Sequence, residues 1–216
     1  MRRFRITPLR LAVAILVGSL SFAGVAYAAS LGVSSQKLHV WTQTLTKGTC
    51  NQNSATEDDT FVQQASPNKT RGGSTTLKIS PSAGSQEYGF IRFDLSGCGL
   101  PTTAGADSSV LSVYVTTAGA DTISLYPVFS SWSSSTLNWN GLGGLTIGST
   151  ATTTFSTSTT GAKTATVTAD VDAAIKAGTL WGWELRATSG TAAVAIGAAD
   201  NGNTARQPSL ALSYEK

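Results

Sequence analysis

The chain has 216 residues, of which 15 are Lys or Arg and 12 are Asp or Glu, and charged residues make up only 12% of it. Four of the basic residues are arginines within the first ten positions, so the rest of the chain holds 11 basic and 12 acidic residues. This near-neutral balance excludes the basic surface that nucleic-acid binding needs. Five Trp, five Tyr and seven Phe favour a folded chain over a disordered one.

The N-terminus has the pattern of a cleavable secretory signal over residues 1–28. The four arginines are followed by an apolar run at residues 11–25 and by the small-residue sequence Ala-Tyr-Ala at residues 26–28. A membrane span needs about 20 apolar residues, and this run is shorter. We therefore expect a secreted, extracellular protein that begins at Ala29 and has no membrane contact after cleavage.

Cys50 and Cys98 are the two cysteines of the sequence. An even number in an exported chain favours a disulfide, with two separate buried thiols as the alternative. The bond would close a loop of about 48 residues and contribute roughly 4 kcal/mol in the chain-entropy model. It would tie an N-terminal extension, residues 29–56, to the domain at residues 57–216. That extension is either an extra strand or an arm.

Short strand-like runs separated by turn residues follow one another through the rest of the chain. The first opens at Thr60, and the later ones cover residues 74–80, 88–95, 109–116, 122–129, 151–156, 163–168, 180–187, 192–198 and 209–214. Residues 109–116 and 122–129, with a short turn between them, are typical of a hairpin. About ten short strands with frequent turns predict an all-β fold, a jelly-roll β-sandwich.

One short helix interrupts this pattern at residues 169–177. Thr168 is placed to cap its N-terminus, Asp170 and Asp172 lie in its first turn, and Gly178 follows its end. A single helix of this length leaves the all-β class unchanged.

Several short segments between residues 59 and 210 occur in a characteristic order. They are Asp59-Thr60-Phe61-Val62, Ser66-Pro67-Asn68, Gly72-Gly73-Ser74, Leu77-Lys78-Ile79, Ile91-Arg92-Phe93-Asp94-Leu95-Ser96, Ser131-Trp132, Thr136-Leu137-Asn138-Trp139-Asn140, Gly182-Trp183-Glu184-Leu185-Arg186 and Arg206-Gln207-Pro208-Ser209-Leu210. Together they resemble the carbohydrate-binding module family 96 domain, also called the DNRLRE-type domain.

The resemblance implies a jelly-roll fold and non-catalytic binding of polysaccharide, with alginate among the ligands studied in the family. We therefore expect a secreted polysaccharide-binding protein, for acidic glycans such as alginate. A secreted structural or cell-surface interaction protein without sugar affinity is the alternative, and a polysaccharide-cleaving enzyme is a more distant one. The sequence leaves the oligomeric state open.

Four cations are the first candidates for contact with an acidic glycan. Lys69, Arg71, Lys78 and Arg92 fall within 24 residues on the first strands and their connection. Guanidinium groups can hold carboxylates through two parallel hydrogen bonds. For Arg92, an ion pair with Asp94 on the same strand face is an alternative role.

Two aromatic residues complete the predicted ligand site. Tyr88 shares strand parity with Arg92, and Trp181 lies at the start of a strand where it can be exposed. Trp139 and Trp183 lie in the family-like segments and are expected in the core instead.

The sequence predicts no catalytic residues. His39 is the single histidine, and no G-x-S-x-G motif accompanies it. Two cysteines and one histidine are also too few for a structural zinc site. Residues 57–59, Glu-Asp-Asp, are the densest acidic cluster and a candidate for structural calcium, with Asp170 and Asp172 as more distant carboxylates. No other cofactor is expected.

Overall fold

The computed structural model describes residues 46–53, 57–119, 121–190 and 192–216, all of them within one compact unit, Leu45–Lys216. The predicted signal peptide and His39 lie outside the described residues. The described residues form eleven strands: β1 (Lys47–Gln52), β2 (Glu57–Gln63), β3 (Thr76–Ile79), β4 (Glu87–Phe93), β5 (Gly105–Thr117), β6 (Thr122–Pro127), β7 (Thr153–Ser156), β8 (Gly161–Thr166), β9 (Trp183–Ala187), β10 (Val194–Gly197) and β11 (Ser209–Glu215). One α-helix, α1 (Thr168–Ala177), joins β8 to β9.

The strands build two antiparallel sheets that pack face to face. The six-stranded sheet has the order β1-β11-β5-β10-β3, with β8 also paired to β5, and the five-stranded sheet has the order β2-β4-β9-β6-β7. From β1 to β6 the chain alternates between the two sheets: β1, β3 and β5 lie in the six-stranded sheet, and β2, β4 and β6 lie in the five-stranded sheet. The predicted all-β, jelly-roll sandwich with one short helix is confirmed.

Alternation along the strands places the core between the sheets. Leu77 and Ile79 point inward from β3 while Lys78 is exposed, and Ile91 and Phe93 point inward from β4. Each of these inward side chains is at most 1% exposed, and burial of each stabilises the fold by about 1.5–3 kcal/mol.

The hairpin predicted from residues 109–116 and 122–129 is wrong. β5 lies in the six-stranded sheet, whereas β6 pairs with β7 and β9 in the other one. Both strands carry an apolar inner face, with Val115 on β5 and Ile123 on β6 fully buried in the same core. Because β5 and β6 lie in opposite sheets, the apolar face of each strand is buried against the facing sheet. A hairpin within one sheet would not bury these faces by itself.

The helix is confirmed, but its predicted cap is not. Val167 occupies the N-cap position, and Thr168 is the first helical residue. The Thr168 hydroxyl accepts a hydrogen bond from the Ser109 amide at 3.0 Å instead of capping the helix. Gly178 ends the helix with a φ of 77°, which favours glycine. Among the described residues, no helix is long and apolar enough to cross a membrane.

Cys50 and Cys98 form the predicted disulfide, with their Cα atoms 5.8 Å apart. It joins β1 to a 3-10 turn, Ser96–Cys98, that follows β4. β1 also pairs along its whole length with β11, from Lys47 opposite Glu215 onward. Residues 47–52 of the N-terminal extension therefore form a strand of the sandwich, and not a separate arm.

The connection between β6 and β7 covers part of the outer face of the five-stranded sheet. It contributes Val128, Trp132 and Leu137 to a second apolar cluster, in which they pack against Val62 and Phe90. The Trp132 and Phe90 ring centroids are 5.7 Å apart. Because Phe90 lies at the middle of β4, this cover separates the two ends of that strand's outer face.

Candidate functional site

Four partly exposed side chains lie side by side across the outer face of the five-stranded sheet. We call them the aromatic row; in spatial order they are Trp139, Tyr88, Arg186 and Tyr126. The ring centroids of Trp139 and Tyr88 are 5.2 Å apart. The Arg186 guanidinium carbon is 4.9 Å from the Tyr88 centroid and 5.1 Å from the Tyr126 centroid. The cation is thus held between two tyrosine rings.

The strand register explains how the row forms. Leu185 on β9 is opposite both Gly89 on β4 and Leu125 on β6, and its side chain points inward. The neighbouring positions therefore point outward, which brings Tyr88, Arg186 and Tyr126 onto one surface from three adjacent strands. Trp139 reaches the same surface from a 3-10 helix, Trp139–Gly144, in the cover.

Glu184, two residues before Arg186 on the same face of β9, orients the Arg186 guanidinium. Its side chain is 0% exposed, and its carboxylate lies 2.6 Å from a terminal nitrogen of Arg186. Burial raises the pKa of Glu184, while the neighbouring guanidinium opposes that rise. The Arg186 side chain is 37% exposed, so its outer edge remains open to solvent.

A cluster of polar groups lies at the β4 end nearest the row. Arg71 donates to the Gln63 amide oxygen at 2.5 Å and lies 5.4 Å from the Phe61 ring centroid. Gln63 in turn donates to the Glu87 carboxylate at 2.7 Å. Burial raises the pKa of Glu87, and the nearby charges of Lys78 and Arg71 oppose that rise. These two predicted cations therefore lie close to one carboxylate.

Lys69 lies on a loop that docks against the cover. Asn140 donates its amide to the Pro67 carbonyl at 3.2 Å and its side-chain nitrogen to the Asn68 side chain at 2.7 Å. Asn140 follows Trp139, so the loop sits beside the Trp139 end of the aromatic row. Lys69 is exposed, and among the described residues no ion pair includes its ammonium. We call Lys69, Arg71 and Lys78 the basic end.

Arg92 lies at the opposite end of β4. Its guanidinium donates two hydrogen bonds to one Asp58 oxygen, at 2.8 and 3.2 Å. The same group lies 5.3 Å from the Trp132 ring centroid and 5.6 Å from that of Trp181. Arg92 is therefore paired and flanked by two indole rings.

The ion-pair partner suggested for Arg92 by the sequence was Asp94, and the structure corrects this. The register places Asp58 on β2 directly opposite Arg92. Asp94 lies beyond the end of β4, where its carboxylate accepts from the Ser96 amide at 2.8 Å. Hydrogen bonds from Ser96 hold the pKa of Asp94 below its usual value.

A cleft of about 630 Å³ opens at this end of the strand, between the end of α1 and the turn after β4. Arg92 and Trp181 line it together with Asp58 and Asp94. Tyr88 and Arg92 are four residues apart, so the aromatic row and the cleft are separated by about 13 Å along β4. The six predicted ligand residues thus divide between the two ends of the sheet: Lys69, Arg71, Lys78 and Tyr88 at one, Arg92 and Trp181 at the other.

The acidic cluster at residues 57–59 is split by strand alternation. Glu57 and Asp59 point toward the sandwich interior, while Asp58 points outward to Arg92. Burial and the Asp59 carboxylate raise the pKa of Glu57 to about 10. Burial raises the pKa of Asp59 to about 7, although the Ala199 amide donates to it at 2.7 Å. Glu57 is therefore protonated at neutral pH.

The carboxylates proposed for calcium do not converge. Asp170 accepts from the Trp183 indole and from the Thr152 hydroxyl, each at 2.6 Å. Asp172 accepts from Lys176 at 2.6 Å and from a backbone amide. In the part of the chain that the structure describes, no group of three or more His, Cys, Asp or Glu residues could hold a metal ion.

Sequence reasoning missed Tyr126, Trp139, Glu184 and Arg186. Alternation beside Leu125 and Leu185 could have shown that Tyr126 and Arg186 point outward from their strands. It could not have shown that β6 and β9 are neighbours. Of the expected core tryptophans, Trp183 is fully buried, whereas Trp139 is only half-buried.

An antiparallel β-sandwich with partly exposed aromatic rings on one sheet face is an architecture suited to binding carbohydrate. The family profile described as carbohydrate-binding module family 96 matches residues 50–214, which is most of the chain. The chain belongs to this family, as the ordered segments in the sequence predict. No curated protein matches it.

Proposed function

We propose that the chain is a secreted, non-catalytic protein that binds acidic polysaccharides such as alginate along the aromatic row and the basic end. The observation that carries this proposal is the Arg186 guanidinium held between two half-exposed tyrosines, Tyr88 and Tyr126. Family membership supports carbohydrate as the ligand class.

The row and the basic end offer two complementary interactions. Flat rings at Trp139, Tyr88 and Tyr126 can pack against the apolar C–H faces of successive sugar units. Arg186 presents N–H donors at its exposed edge, where a uronate carboxylate or a hydroxyl can accept. The exposed ammonium group of Lys69 adds positive charge beside the Trp139 end of the row, and that of Lys78 adds positive charge near Glu87, at the edge of the other sheet. Acidic glycans are therefore favoured over neutral ones on this surface.

The placement of the carboxyl groups supports a non-catalytic role. Glycoside hydrolysis by two carboxyl groups requires both to reach the scissile bond. Both carboxyl oxygens of Glu57 are buried, and Asp59 is 3% exposed. Asp58 is paired with Arg92. Glu184 is 0% exposed, so the row carries no accessible acid pair.

Affinity electrophoresis of the secreted chain in gels that contain alginate or a neutral glucan tests the proposal. We expect retardation in alginate that weakens as salt is added, because exposed charges are screened. Tyr126→Ala and the double substitution of Lys69 and Lys78 by Ala should each reduce the retardation. No retardation by any glycan would favour the alternative of a structural protein without sugar affinity.

A matched control comes from the other sheet. Tyr114 is also half-buried, and Arg206 lies over its ring at 5.4 Å, so this pair resembles the row chemically. Tyr114→Ala should leave the retardation in alginate unchanged. Equal losses from Tyr114→Ala and Tyr126→Ala would contradict the aromatic row as the binding surface.

A further inference from the structure

The cleft at the other end of β4 has the size of a small-molecule site. Its volume of about 630 Å³ lies within the range of roughly 300–1,000 Å³ that is usual for ligand pockets. Apolar walls come from Leu95, Leu100, Ile175 and Leu180, and polar groups come from Asp58, Asp94 and Ser96. A half-exposed indole, Trp181, completes the lining.

The backbone holds Trp181 in place without a ligand. Its carbonyl accepts from the Trp132 indole nitrogen at 2.7 Å. The next residue, Gly182, has a φ of 76°, and a Cβ there would lie 1.9 Å from the Ile91 carbonyl oxygen. Only glycine permits this close approach, which fixes the start of β9 against β4. The ring is thus positioned before any sugar arrives.

The charge of the cleft is opposite in sign to that of the basic end. Arg92 is the one cation among the described lining residues, and Asp58 neutralises it. Asp94 is exposed, and within the described part of the chain its carboxylate accepts from Ser96 alone, so lone pairs remain available. The C-terminal end of α1, at Gly178, adds partial negative charge. Such a cleft disfavours a uronate and accepts hydroxyl donors.

We propose that this cleft is a second carbohydrate site, which binds a neutral sugar residue independently of the aromatic row. The sugar stacks on Trp181 and donates hydroxyl hydrogen bonds to Asp94 and Asp58. This inference rests on the proposed function only in taking carbohydrate as the ligand class. Phe90 and Trp132 are buried between the two sites, so each site can be removed without the other.

Calorimetric titration of the secreted chain with cellotetraose, mannotetraose and xylotetraose tests the cleft, with alginate retardation measured in parallel. At least one neutral tetrasaccharide should bind, and Trp181→Ala should weaken it by about tenfold or more. Thr179→Trp fills the cleft from an exposed position and should have the same effect without touching Trp181. Neither variant should change the retardation in alginate.

Two controls keep the sites apart. Thr164→Trp adds the same side chain at an exposed position on β8 and should leave tetrasaccharide binding unchanged. Tyr126→Ala should weaken alginate binding and spare the tetrasaccharide.

Three results would contradict the proposal that the cleft is a second carbohydrate site. If alginate binds and no neutral tetrasaccharide does, the cleft fails while the proposed function stands. If Tyr126→Ala abolishes tetrasaccharide binding and Thr179→Trp does not, the sugar binds to the row. If neither alginate nor any tetrasaccharide binds, the proposed function fails together with the cleft.

Discussion

The two ends of β4 carry similar components and arrange them differently. Near Tyr88, Arg186 lies between two tyrosines and keeps an exposed edge, while its carboxylate partner Glu184, on the same face of β9, is fully buried. Near the other end, Arg92 lies between two tryptophans and is paired with Asp58 at the surface of the cleft. The two pairs therefore differ in the exposure of the acid partner, which is 25% for Asp58 and 0% for Glu184.

The surroundings amplify this difference. Lys69 is exposed beside the Trp139 end of the row, and Lys78 is exposed on β3, the edge strand of the other sheet. The cleft is instead lined by Asp94 and by Glu57, whose pKa is raised to about 10 by burial. The aromatic row on the outer face of the five-stranded sheet and the acidic cleft at the far end of β4 thus differ in charge, about 13 Å apart along one strand.

Trp132→Ala should have the largest effect, because it removes the side chain that separates the two regions. Trp132 is 7% exposed, packs on Phe90 and contacts Arg92. Loss of a buried tryptophan costs about 3–5 kcal/mol in the free energy of unfolding. Urea denaturation measures this change. Phe129→Ala, at a residue 60% exposed on the same segment, should stay within about 0.5 kcal/mol of the parent chain.

The cleft end should also be the pH-sensitive end. The pKa of Glu57 is raised to about 10, so the folded state keeps a proton that the unfolded chain loses above pH 4.5. Stability should therefore fall as pH rises from about 4.5 toward 10, by up to about 1.4 kcal/mol per pH unit for this proton. Glu57→Gln should flatten the fall, as measured by thermal unfolding across pH. Asp107→Asn, at an exposed carboxylate of β5, should keep the parent profile, and a parent chain without any fall would contradict this assignment.

Breaking each arginine pair separately should distinguish a buried partner from a half-exposed one. Glu184→Gln removes a fully buried charge beside Arg186 and should cost about 1–2 kcal/mol, since the arginine itself remains partly hydrated. Asp58→Asn acts on a pair in which both side chains are about one-quarter exposed and should cost less, about 0.5–1 kcal/mol. Denaturant unfolding of both variants compares them. A larger loss from Asp58→Asn would reverse our ranking of the two pairs.

Salt should produce the smallest but most selective difference. Raising the ionic strength from low to physiological values shortens the screening length to about 8 Å. Alginate retention at the basic end should weaken several-fold, while tetrasaccharide affinity in the cleft should change little. Parallel measurements on the same preparation check both. Equal salt dependence at the two sites would contradict the assignment of opposite charge.

Local patterns along the chain predicted much of the fold and less of the site. The alternation around Lys78 and around Arg92 correctly separated inward from outward residues, and the cysteine count anticipated the disulfide. The hairpin of β5 and β6 failed, because adjacency in sequence does not say whether two strands share a sheet. Asp94 was suggested as the partner of Arg92 for the same reason: Asp58 is 34 residues away in sequence and directly opposite in space.

The amino-acid sequence was sufficient for the family and the all-β class, because strand periodicity and ordered motifs are local properties. Which cations remain free to meet a glycan followed from the tertiary structure. Sheet order placed Arg186 between Tyr88 and Tyr126, and the folded-back connection buried Phe90. Those outcomes depend on the register between distant strands, and the free energy that selects a register is distributed over contacts that no single segment contains.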